Sequence, residues 1–137
     1  MEKPTLKRSI GALIFGGIAT LYMILVAAVV FPAMVGLLAE IPAPAQERQI
    51  FLMVIDVMST LYYTFGVINA LLVIWAYFQR AGATLLGIYN VLIFILNGFI
   101  LMLIPFIFNA IAGSKAKKAH ITYKAELKAY KEFSAEA

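Results

Sequence analysis

One carboxylate stands alone in the middle of this chain. Between Gln49 and Gln79 the only charged side chain is Asp56. An acid inside an apolar run marks a proton relay, a cation site or an ion-pair anchor. Asp56, Ser59, Thr60, Tyr63, Gly66, Ala70 and Tyr77 fall on one side of a helical wheel. That polar-to-small stripe is expected to turn away from lipid, towards other helices. Tyr62, Thr64 and Asn69 widen it. A second reading is interfacial. If the helix starts at Gln49, Asp56 lies only about 10 Å along it, wet at the membrane surface, with Arg48 as a loose partner.

Amides are the other polar groups in apolar surroundings. Asn90 and Asn97 are seven residues apart and align on a continuous helix. Side-chain amides hydrogen-bond across membrane helices for ~0.6–2 kcal/mol. Ala12, Gly16 and Thr20 repeat at four-residue spacing, with Gly11, Gly17 and Ala19 nearby. Small residues at that spacing let two backbones approach closely, so Gly16 marks an expected contact face.

Other chemistry does not assemble from these residues. The chain has one histidine, His120, in a polar tail, and no cysteine. A hydrolytic triad or a His/Cys metal site needs several such groups to converge. Neither a phosphate-binding glycine loop nor a strand pattern is evident. The sequence therefore predicts no catalytic, cofactor or metal residues and no enzyme. The basic charge lacks the groove-reading or base-stacking elements of a nucleic-acid surface.

The elements that position these residues are apolar blocks. The chain is 64% hydrophobic and 13% charged over 137 residues, against roughly 25% charged in a soluble domain. Residues 9–39 and 81–114 carry no Asp, Glu, Lys, Arg or His. About 20 apolar residues span the hydrocarbon as a helix, so the expected fold class is all-α, an integral membrane helical bundle. The first block, Ile10 to about Phe31, is too long for a signal-peptide core, and Pro32 ends or kinks it. The two prolines and the charges of residues 39–48 form a loop. The second block runs from Gln49 to Phe78.

The third block sets the number of crossings. Read as one helix, 81–113 would be about 50 Å long, well beyond a ~30 Å core. Asn97-Gly98 is turn-prone, and a split there gives short spans over 80–96 and 99–115. With four spans and the N-terminus inside, ten of the 11 basic residues face the cytoplasm and only Arg48 lies outside. Lysine and arginine bias sets orientation, so four spans are favoured over three long ones. The expected division is a transmembrane domain, 1–113, and a basic tail, 114–137. Ser114 is the expected cap of a tail helix on which Tyr123, Leu127, Tyr130 and Phe133 line up among lysines.

The expected function is that of a non-catalytic accessory or scaffold subunit in a larger membrane complex. Its expected partners are the lipid bilayer, other membrane subunits or copies of itself, and anionic headgroups at the Lys-rich tail. The alternative is a homo-oligomeric pore, a holin-like protein or a small transporter with Asp56, Thr60 and Tyr63 in the polar path. The expected location is the bacterial plasma membrane, with the tail in the cytoplasm.

Overall fold

Ser9 starts the first helix. Its backbone is extended, and its hydroxyl oxygen accepts the Ala12 amide at 3.2 Å, satisfying one of the orphan donors of the first turn. The computed structural model describes residues 2–5, 7–96 and 102–136. Among these, five α-helices form: α1 (Ile10–Leu25), α2 (Phe31–Glu40), α3 (Ala45–Phe78), α4 (Arg80–Leu96) and α5 (Leu103–Glu136). There is no strand among the described residues.

Pro32 does not stop the first helix. A π-turn, Val26–Val30, joins α1 to α2. Proline lacks an amide hydrogen and crowds the carbonyl four residues back. The wider turn absorbs both problems. The result is a 31-residue rod, Ile10–Glu40, about 46 Å long. This rod and α3, with 34 residues, are long and apolar enough to cross a membrane.

The third apolar block is not one helix. α4 ends at Leu96 and α5 starts at Leu103, and the two pack side by side. Phe94 stacks on Phe106 with ring centroids 4.3 Å apart, and Asn90 donates to the Phe106 carbonyl. Further along, Ala83 lies beside Gly113, so the two helices are antiparallel. Residues 97–101, including Asn97 and Gly98, lie outside the described residues.

The same logic fixes the other pairs. Gly16 meets Val73, and Gly66 meets Ile24, so α1 and α3 are antiparallel. Phe15 stacks on Phe108 at 5.9 Å while Gly11 meets Lys115, so α1 and α5 are antiparallel too. α3 turns into α4 through a single extended residue, Gln79. A Cβ at Gly82 would collide with the backbone of Trp75 and Ala76, so only glycine lets α4 fold back this tightly. The four rods thus form a ring in the order α1, α3, α4, α5.

Two apolar clusters fill the ring. One joins Ala12, Val73, Ala76, Ala83, Leu86, Ala112 and Ala116, mostly small side chains that bring the backbones close. The other joins Met23, Val26, Ala27, Phe31, Tyr62, Ile93 and Met102. Past the second cluster the ring opens. Among the described elements, α2 packs only on α3 and the π-turn. Val35, Leu37, Phe51, Val54 and Val57 are exposed on this two-helix overhang.

α5 runs without interruption from its apolar half into the basic tail. Ser114 is inside the helix, not at its start. The Ala- and Lys-rich sequence after it sustains the helix, so no cap is needed there. Lys7 pairs with Glu126, tying the N-terminal segment to the tail.

Candidate functional site

Four polar side chains, one from each rod, converge inside the bundle. Asn69 of α3 donates to the Thr20 hydroxyl of α1 at 2.9 Å and to Asn109 Oδ1 of α5 at 3.2 Å. Asn109 donates back to Asn69 Oδ1 at 2.7 Å and to Asn90 Oδ1 of α4 at 3.4 Å. Asn90 donates to the Phe106 carbonyl at 2.9 Å. Thr20 passes its own hydrogen to the Gly16 carbonyl one turn back. All three asparagines are buried.

The helical wheel explains how the node forms. On α3 the buried positions are Tyr62, Gly66, Asn69, Val73 and Ala76, spaced by four and three residues as one helix face requires. Gly16 is buried opposite, where a Cβ would come within 2.5 Å of both Val73 γ-carbons. That close approach lets Thr20 reach Asn69. The amides are neutral and carry no titrating proton, so the node can lock helix positions but cannot relay charge by itself.

The expected stripe on α3 turns inward only in part. Asp56, Thr60 and Tyr63 are exposed, whereas Gly66 of the stripe and Tyr62 and Asn69 beside it are buried, with Ser59 half-buried. Thr60 and Thr64 each bond the carbonyl four residues back in their own helix. They therefore need no partner from another rod. Arg48 does not serve Asp56 either; its guanidinium bonds the Ile41 carbonyl at 2.8 Å.

Asp56 lines an open groove of about 360 Å³ between α2 and α3, with Phe31, Pro32, Val35, Leu52, Ile55 and Ser59. Ser59 has its own task. Inside the π-turn the Phe31 amide bonds the Val26 carbonyl, and Pro32 has no amide hydrogen. The Ala27 carbonyl is thereby left without a helical donor, and the Ser59 hydroxyl fills the place at 2.9 Å. Asp56 is the groove's one charged group. Among the described residues no three His, Cys, Asp or Glu side chains gather to hold a metal.

Two further polar contacts were not legible in the sequence. His120 sits against the end of α3, with Nε2 at 2.7 Å from the Ala76 carbonyl. That carbonyl lies in the last turn of α3 and lacks a helical donor, so the imidazole acts as donor. Tyr89 donates its hydroxyl to the Phe65 carbonyl at 2.7 Å, a direct hydrogen bond between α3 and α4. Asn109 itself gave no signal beyond being an amide in an apolar run, and its partners lie 19 and 40 residues away. Asn97 lies outside the described residues. Compared with protein-family models, curated proteins and solved structures, the chain shows no match.

Proposed function

We propose that this chain is a four-pass membrane protein that serves as a non-catalytic subunit or scaffold within a larger membrane assembly. The observation that carries the reading is the overhang. α2 and the first half of α3 project past α4 and α5 with their apolar side chains exposed. The rest of the bundle is apolar on its outer faces too, but only this pair lacks neighbouring helices on its flank among the described residues, which fits an interaction surface. The polar side chains within the bundle are used to hold its own helices together, which suits a scaffold.

Charge placement supports four crossings. The antiparallel ring brings the N-terminal segment, the α3–α4 corner with Arg80 and the start of the Lys-rich tail to one end. The 41–44 loop and the start of α3, with Arg48, lie at the other end. This is the asymmetry that orients helices with their basic flanks in the cytoplasm. A bacterial plasma membrane accommodates the arrangement.

A second reading is a homo-oligomeric pore. Asp56, Thr60 and Tyr63 face outward, so only neighbouring copies could enclose a path along them. The holin-like version of this reading required the third block to be a single helix, and α4 and α5 are two.

Photo-crosslinking from Val54 and Leu37, both exposed on the overhang, separates the two readings. A stoichiometric adduct with a different membrane protein is expected. Adducts only between copies of this chain, with ion flux in liposomes that disappears in Asp56→Asn, would transfer the assignment to the pore.

A further inference from the structure

At the basic end of the bundle a hollow of about 500 Å³ is lined by Lys7, Arg8, Ser9, Lys115, Lys118 and Thr122. It holds four cations, two hydroxyls and no acid in its lining. Lys7 is paired with Glu126, and its charge is partly neutralised. Arg8 is steadied by the Phe78 ring, 4.7 Å from its guanidinium carbon. The Lys115 stem crosses Gly11, and its amine lies 5.8 Å from the Phe15 ring centre. Two of the cations, though exposed, thus each rest against an aromatic ring, which narrows their rotamers and lowers the entropy lost on binding an anion. The start of α1, capped by Ser9, adds the positive end of a helix dipole.

We propose that this hollow binds the phosphate of an anionic phospholipid. The inference rests on the bilayer reading above and deepens it. Lys115 and Lys118 coordinate the phosphate, Arg8 adds a forked donor, and Ser9 and Thr122 supply hydroxyl hydrogen bonds. The level within the fold selects a lipid over a soluble anion. Ser9 stands where the first apolar rod begins, and Lys115 where the apolar half of α5 ends, which is the height of headgroups on a spanning bundle. A second hollow of about 480 Å³ shares Lys115 and Lys118 and continues down α5 over Ala110 and Ile111. A glycerol backbone and the first methylenes of an acyl chain fit that slope.

The test uses the full chain reconstituted with phosphatidylglycerol and phosphatidylcholine, followed by native mass spectrometry of retained lipid. Wild type is expected to retain phosphatidylglycerol preferentially. Lys115→Gln/Lys118→Gln should lower that preference about 30-fold, and the exposed Lys118→Gln alone about fivefold, from the usual effect of one surface cation on an anionic lipid. Lys128→Gln/Lys131→Gln removes the same charge further along α5 and should leave the preference intact. Equal losses in both double variants would reduce the effect to bulk charge and overturn the site, as would no selectivity in wild type. Displacement of the lipid by equimolar inorganic phosphate would overturn the lipid assignment in favour of a soluble anion. Failure to insert into pure phosphatidylcholine vesicles refutes the bilayer reading itself. Insertion without selectivity refutes only the site.

Discussion

Replacing Asn109 by leucine tests whether the polar node holds the four rods together. The side chains share heavy-atom count and branching, so the change removes hydrogen bonds without opening a cavity. Asn109 takes part in three, at 2.7 and 3.2 Å with Asn69 and 3.4 Å with Asn90. At about 0.6 kcal/mol per inter-helix bond in a bilayer, the expected loss is roughly 2 kcal/mol. Asn69→Leu also removes three bonds, the two shared with Asn109 and one to Thr20, and should cost about the same. The double variant loses the shared pair only once. Its cost should fall short of the sum by roughly 1 kcal/mol. The assay is reversible unfolding in mixed micelles by increasing sodium dodecyl sulfate. It is followed through Trp75, the chain's one tryptophan, at the end of α3. A cycle that closes additively, within about 0.3 kcal/mol, would refute direct coupling between the two amides.

Other substitutions probe separate parts of the fold. Ser59→Ala leaves the Ala27 carbonyl without its donor and should cost about 1–2 kcal/mol in the same assay, whereas Thr64→Val, on the exposed side of the same helix, should change little. Tyr62 is buried edge-on to Phe31, with ring centroids 5.2 Å apart, and its hydroxyl has no hydrogen-bond partner among the described residues; Tyr62→Phe should be neutral or stabilising by up to about 1 kcal/mol, and a large loss would reveal a missing partner. Gly82→Leu should abolish the folded bundle, read as loss of the monodisperse detergent-solubilised species, while Gly87→Ala, where a Cβ meets nothing, should gain about 0.5–1 kcal/mol. Because the chain has no cysteine, single cysteines at Lys3, Arg80 and Lys128 should all react from the cytoplasmic side and one at Gln46 from the other; opposite exposure of Lys3 and Arg80 would rule out an even number of crossings between them.

Much of the architecture was readable from hydrophobic length and from a few breakers. The absence of charge over 81–114, with 80–96 as a short unit, anticipates α4 at Arg80–Leu96. Pro32 marks the π-turn, though periodicity does not reveal that the helix survives it. The site was harder to read. On α3 two adjacent faces both carry hydroxyls and small residues, and the polar one, Asp56–Thr60–Tyr63, is exposed. Threonines that bond their own helix look the same in sequence as threonines that bond a neighbour. The buried face includes Tyr62, which a polarity scale places outside. Asn109 becomes meaningful only once three other rods are in position, and no spacing rule within one helix reports that.

That dependence has a consequence for biosynthesis. Asn69 is made 40 residues before the amide that completes its bonding, and Asn90 waits 19 residues for the same group. A nascent chain holding only α1 to α4 therefore carries Asn90 without either of its partners and Asn69 held by Thr20 alone, both on apolar helices. α5 acts as the closing strut, and its arrival converts a sticky intermediate into a finished one. Chains truncated before Asn109 should be recognised by membrane proteases as unassembled, although four of the five helices are complete.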